Sequence, residues 1–405
     1  MSLRYVKISE SMSSWLDFFR CFCAFLVLLS HVSHRVVVHF RDLDPAAVNA
    51  LMYIMYMPSS FGVGAVMIFF VLSGFLVGGS AFKKIQAGNF SWRDFVVARL
   101  ARLWIVLIPS LLLTRLLPRI TESLGIIDRA EIDSALDLFS FSCNVAFLQL
   151  VACDPYGNNG ALWSLFNEFW YYIAWPILMM AFALCGFKKI IMPFFILVLA
   201  LIVSFYQKDG ANFLLYFFVW VFGVAAGVCK FPKILGGEKI ALVIFVVAVV
   251  LWRLKVNGDS RNEFFGHNFY YDAFLGFSFA NLMNRMAFSV NLVRPPAILP
   301  TRRFAEFSFS LYCTHTPVVE FICKLHRILS GRSLPFLVVN QLSIGIFLIC
   351  VCVCVVFAYA FYWVTERHTA RFCALLSGVV DFALKAASVS GIKFRRRLAG
   401  GQAWF

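Results

Sequence analysis

Residues 338–364 read VVNQLSIGIFLICVCVCVVFAYAFYWV, and no side chain in that run is charged. A helix rises about 1.5 Å per residue, so roughly 20 apolar residues cross the hydrocarbon core of a bilayer. The run meets that length, and its cysteines, Cys350, Cys352 and Cys354, behave there as small hydrophobes. Read outward from it, the same criterion marks segments near 14–34, 62–82, 99–117, 162–183, 190–206, 212–229, 239–256, 269–287 and 304–323, about ten spans in all. Composition agrees. The 405 residues are 61% hydrophobic and 14% charged, whereas a soluble domain is about 45–50% apolar and about 25% charged. Mean hydropathy is +0.82. The expected fold is all-α: a polytopic transmembrane helical bundle over residues 1–370, then a basic cytoplasmic tail over 371–405.

Charge sets the orientation. The chain has 36 Lys+Arg against 21 Asp+Glu, net +15. In a chain this apolar, the excess reads as retention of basic residues in cytoplasmic loops, not as a nucleic-acid surface. Lys83, Lys84, Arg93, Arg99 and Arg102 lie between the second and third spans, and Lys188 and Lys189 after the fourth. Lys230 and Lys233 follow the sixth, and Arg285, Arg294, Arg302 and Arg303 separate the eighth and ninth. The intervening loops are acidic or mixed, notably 118–160 with Glu122, Asp128, Glu131, Asp133, Asp137 and Asp154. Both termini are therefore expected in the cytoplasm, as an even number of spans requires. The first apolar run carries Arg20 and His31 and no small-residue cleavage site, so it reads as a retained helix. Cys143 and Cys153 share a polar loop placed outside and are candidates for a disulfide if that side is oxidising. No CxxC pair or Cys/His cluster has zinc spacing. The tail beyond about 370 reads either as a basic segment on the anionic inner leaflet or as a disordered retention tail.

Ionisable groups inside membrane spans are costly and point to function. Arg20 and His31 are eleven positions apart, so they share a helix face about 16 Å apart. That is close to the reach of a pantetheine arm from its phosphates to its thioester, which suits acyl-CoA. The alternative for Arg20 is an ion pair with Asp17, three residues back. Arg99 and Arg102, at spacing three, put two guanidiniums on one face, able to grip a diphosphate; retention in a cytoplasmic loop is the alternative for each alone. Glu168 lies about 10 Å into its span, where a carboxylate is neutral, paired or catalytic. A structural carboxylate bonded to nearby Trp and Tyr groups is its plainer reading. His315 lies about 16 Å into its own span, so His31, Glu168 and His315 are expected near one depth, around a shared polar site. Either histidine could instead be a packing residue, with Pro317 as a simple kink. Ser73-Gly74 marks a small-sided helix, for close packing or for a ligand-facing wall. Asp272 faces acceptor or water.

Taken in order, these segments resemble the membrane acyltransferase 3 family. Arg20 and His31 match its basic residue, ten positions and His. Phe69-Phe70-Val71-Leu72-Ser73-Gly74-Phe75-Leu76 resembles its Phe-Phe-x-x-Ser-Gly-Phe-Leu run, and Arg99 with Arg102 its Arg-x-x-Arg. Leu162 to Glu168 resembles its Leu-Trp-Ser-Leu with a following Glu, and Ser308 to Pro317 its Ser-x-Ser-Leu-Tyr-x-x-His-x-Pro. Phe166-Asn167 and His368 depart from the pattern, the latter standing where Pro is common.

The resemblance implies an enzyme that O-acylates cell-surface or exported glycans from a bacterial inner membrane, with acetyl-CoA the expected donor and no metal. His31, Glu168 and His315 are the expected catalytic set, with His31 as base or transient acyl carrier. Arg20, Arg99, Arg102 and Ser73 are the expected cofactor contacts. The glycan would approach from the extracytoplasmic side and acyl-CoA from the cytoplasm. Mid-bilayer His and Glu also suit a secondary transporter of a small anionic solute, although no repeat is detected. A non-catalytic partner of a glycan-export machine is a third reading.

Overall fold

A computed structural model of the chain describes residues 8–38, 40–43, 50–123, 136–183, 213–255, 267–295, 301–331 and 340–400. They form α1 (Glu10–Val36), α2 (Ala50–Ser59), α3 (Gly62–Ser73), a π-helical turn (Gly74–Gly78), α4 (Gly79–Gln86) and α5 (Trp92–Ser123). There follow α6 (Leu138–Val145), α7 (Trp163–Ala183), α8 (Phe213–Val228), α9 (Glu238–Lys255) and α10 (His267–Ala287). Last come α11 (Thr301–Glu306), α12 (Ser308–Ser330), α13 (Gln341–Val364) and α14 (Thr369–Gly400). No strand occurs among the described residues. The segment expected near 190–206 lies outside them.

Helix ends follow local chemistry. The Ser9 side chain accepts from the Met12 N–H at 3.2 Å to cap α1, and Asn340 and Ser343 form a reciprocal capping box on α13. Gly331 ends α12 in a left-handed conformation (φ 66°) that favours glycine.

Among the described residues, Glu10–Val36, Met52–Gln86, Trp92–Ser123 and Gln341–Ala386 are long and apolar enough to cross a bilayer. α7, α9, α10 and α12 occupy predicted spans but carry polar and ionisable residues. The bundle buries several of them, including Asn167, Asp272, Asn284 and His315. Outward faces are apolar instead: Val243, Val246, Val250 and Leu254 on α9, and Leu342, Ile349 and Val356 on α13, are all exposed. Exposed apolar faces this long belong against lipid.

The bundle is built around α1, which packs against α3 and α12, while α8 packs against α3, the π turn and α10. The α3–α8 contact has no clearance. A Cβ on Gly74 would sit 2.0 Å from the Trp220 carbonyl oxygen, and one on Gly223 2.0 Å from that of Val71. Small residues let two backbones approach this closely where no hydrophobic effect drives helices together. Asp272 of α10 accepts from the Trp252 indole at 2.6 Å and the Tyr216 hydroxyl at 3.2 Å, tying α8, α9 and α10 together.

The loop before α7 is folded down onto the bundle. Cys143 and Cys153 are disulfide-bonded, so the candidate pair of the sequence is a bridge. Trp104 of α5 donates to the Val145 carbonyl at 2.9 Å, and Trp170 of α7 to that of Phe147 at 2.8 Å. The tail beyond 370, with its leaflet-bound and disordered readings, is helical from Thr369 to Gly400. It packs on the start of α5, where Arg93 pairs with Asp381 at 2.6 Å and donates to the Ser377 carbonyl at 3.1 Å.

Gly223→Ala is expected to push α3 and α8 apart, at an overpacking cost of about 1–3 kcal/mol. Its thermal midpoint in detergent should fall. Gly345→Ala, where an added Cβ meets nothing within 4 Å, should leave the midpoint in place.

Candidate functional site

A cavity of about 370 Å³ lies among α1, α3, α4, α5, α7 and α12. Arg20 of α1, Ser73 of α3, Arg99 and Arg102 of α5, Glu168 and Tyr172 of α7 and Tyr312 of α12 line it. Five of the seven residues singled out in the sequence thus meet in one chamber. The α5 spacing of three puts Arg99 and Arg102 on the same wall. Arg102 is the more exposed, and the buried Nε of Arg99 has no hydrogen-bond partner. The Arg99 guanidinium lies 6.0 Å from the ring centroid of Tyr172 and 6.0 Å from that of Phe95. Among the described residues, no ion pair within 4.0 Å joins Arg20 to Asp17, although the two lie within electrostatic reach.

Polar contacts order the rest of the chamber. The Trp220 indole of α8 donates to Ser73 Oγ at 3.2 Å. Ser73 and Tyr172 share a hydroxyl–hydroxyl bond of 3.1 Å, and the Tyr172 hydroxyl donates to Glu168 Oε1. Ser73 lines the cavity and at the same time links α8 to α7. A second carboxylate, Glu366, is held by α12: it accepts from the Ser310 N–H at 3.1 Å and from the Ser310 hydroxyl at 2.9 Å. It lies within electrostatic reach of Arg102 and Arg20.

The histidines form a separate pair. The rings of His31 and His315 meet edge to face with centroids 4.8 Å apart. His31 therefore faces the bundle. His315 Nδ1 donates to the Leu311 carbonyl at 2.9 Å, which leaves Nε2 as the acceptor, with the Thr316 hydroxyl at 3.3 Å. Neither histidine lines the cavity, and Glu168 sits with the arginines, so the shared polar site expected from common depth is two adjoining ones. Tyr312 connects them: it lines the cavity, and its ring centroid is 6.1 Å from that of His315.

The turn that carries Tyr312 and His315 is fastened to the loop before α7. Pro317 has no N–H for the Cys313 carbonyl, and Asn159 supplies the missing donor at 3.0 Å. The Tyr312 hydroxyl donates to the Ala161 carbonyl and so accepts from Ser164 Oγ at 2.7 Å. Among the described residues, no group of three His, Cys, Asp or Glu is placed to hold a metal ion.

Sequence reasoning missed Tyr312, Trp220 and Glu366 as members of the site, and it reached Tyr172 only through the plainer reading of Glu168 as a carboxylate bonded to nearby Trp and Tyr groups. Two of them had a signal: Tyr172 follows Glu168 by one helical turn, and Tyr312 precedes His315 by nearly one. Trp220 and Glu366 come from segments whose order along the chain gives no hint of proximity. Tyr312→Phe should leave the Ala161 carbonyl and the Ser164 hydroxyl buried without their partner, a loss of about 1–3 kcal/mol. The expected readout is a lower thermal midpoint of the purified protein.

A family model described as an acyltransferase domain matches residues 13–375. No curated protein and no solved structure matches the chain.

Proposed function

The chain belongs to the acyltransferase 3 family, and we propose that it moves an acetyl group from acetyl-CoA to a hydroxyl of a cell-surface or exported glycan. Its setting in this reading is a bacterial inner membrane, crossed about ten times with both termini in the cytoplasm. The observation that carries the reading is the convergence of Arg20, Arg99 and Arg102, from two helices, on one cavity beside a facing pair of histidines. Guanidiniums match the geometry of phosphate oxygens and suit the anionic end of a coenzyme A ester.

In this proposal the diphosphate rests on Arg99, Arg102 and Arg20, near the cytoplasmic end of α5. The pantetheine arm runs along α1, and its thioester passes Tyr312 toward His31. His31 takes the proton from the acceptor hydroxyl as that oxygen attacks the thioester carbonyl. The C–O bond forms, the C–S bond breaks, and the leaving thiolate takes the proton back from the imidazolium to become the coenzyme thiol. His315 orients His31 through the edge-to-face contact, and its own tautomer is set by the Leu311 carbonyl. Glu168 balances the charge of the arginines. The glycan meets the acyl group from the extracytoplasmic side, so the acyl group crosses while the coenzyme stays in the cytoplasm.

His31→Ala is expected to lower transfer by about 100-fold or more, measured as acetyl incorporated into surface glycan from cells expressing equal amounts of inserted protein. Transfer at the parental rate would remove His31 from the mechanism. Arg99→Ala/Arg102→Ala should weaken coenzyme A binding by roughly tenfold or more. Calorimetric titration of the purified protein reads this directly, and an unchanged affinity would dispose of the clamp.

A further inference from the structure

The arginines of the cavity stand beside two carboxylates without pairing to them. Arg20 is within electrostatic reach of both Glu366 and Glu168, as well as of Asp17 on its own helix, and Arg99 of Glu168. Among the described residues, however, no ion pair within 4.0 Å joins either carboxylate to Arg20, Arg99 or Arg102. In low-polarity surroundings, opposite charges gain by closing on each other where their geometry allows it. Something holds them apart.

For Glu366 the restraint is Ser310, which gives it an N–H and an O–H on the same oxygen. For Glu168 it is Tyr172, and there the direction of each bond is settled by the chemistry of the chain. An indole nitrogen only donates, so the Trp220 N–H gives to Ser73 Oγ. Ser73 then has its own proton for the Tyr172 oxygen, and the Tyr172 proton goes to Glu168 Oε1. The chain starts at a buried, donor-only group and runs one way onto the carboxylate. The Arg99 guanidinium lies 6.0 Å from the Tyr172 ring centroid, and its buried Nε has no hydrogen-bond partner. That donor is therefore not spent on Glu168.

We infer that Tyr172, backed by Ser73 and Trp220, is a positioning residue that holds Glu168 off the guanidiniums and so keeps the arginine cluster open for a diphosphate-bearing ligand. The carboxylate offsets the mutual repulsion of the arginines while the cavity is empty, yet it does not occupy the place the phosphates need. Without the tyrosine hydroxyl, Glu168 turns to Arg99 and competes with the ligand. The inference rests on the reading of these arginines as the phosphate site of the donor.

The test titrates pyrophosphate and, separately, coenzyme A into the purified full-length protein, the parent and three variants. Tyr172→Phe is expected to bind pyrophosphate about tenfold more weakly than the parent. Tyr172→Phe/Glu168→Gln should regain the parental affinity, because the competing charge is gone, and Glu168→Gln alone should bind at least as tightly as the parent. A purely structural role for Tyr172 predicts no such rescue, and the rescued double variant itself shows that the fold survives loss of the hydroxyl. Parental affinity in Tyr172→Phe, or a double variant as weak as the single one, overturns the inference, and so does a parent that binds neither probe. A parent that binds pyrophosphate but not coenzyme A removes the donor reading, while the pyrophosphate series still decides the role of Tyr172.

Discussion

A guanidinium removed from water has to be compensated, and that requirement organises the center of this molecule. Arg20 and Arg99, with the more exposed Arg102, line one chamber inside the bundle. The cheapest compensation is a direct ion pair, and an ion pair would fill the chamber with its own side chains. The protein uses another arrangement. Neutral donors hold the carboxylates at a distance, Tyr172 for Glu168 and Ser310 for Glu366. The arginines see negative charge without being covered by it. In the function proposed above, the chamber keeps an anion site open at the expense of some electrostatic stability, as is common where stability and binding make opposite demands.

That arrangement depends on helix packing several residues away. Trp220 reaches Ser73 only because α8 lies against α3 with no side chain between Gly74 and the Trp220 carbonyl, or between Gly223 and that of Val71. The π-helical turn over Gly74–Gly78 begins at the residue after Ser73, and such turns frequently occur at functional sites. On the other wall, Tyr312 and His315 keep their places because Asn159 and Ala161, in the loop before α7, accept or supply the hydrogen bonds that Pro317 and the tyrosine leave open. The disulfide between Cys143 and Cys153 closes the same loop. The two adjoining sites, arginine chamber and histidine pair, are thereby positioned by separate parts of the fold and meet at Tyr312.

Much of this was legible along the chain. An uncharged run such as 338–364 has no stable place in water, so helix in lipid follows from composition and length. Arg20, His31 and His315 could be singled out because an ionisable group within an apolar run is costly. Helical spacing placed Arg99 beside Arg102, since both ride one helix whose geometry is known in advance. Depth along each helix was a weaker guide. It put Glu168 level with the histidines, but depth says nothing about which way a helix is turned, and α7 turns Glu168 toward the arginines.

The amino-acid sequence by itself therefore determined the solvent, the helical class and the list of costly residues, because these depend on local hydropathy and on a fixed helical repeat. Only the tertiary structure decided which of those residues face each other. The pairing of His31 with His315, the hydroxyl chain from Trp220 to Glu168 and the presence of Glu366 near the arginines all join segments far apart in the chain. Helix rotation and interhelical contact set them, and neither is encoded in any one segment's periodicity.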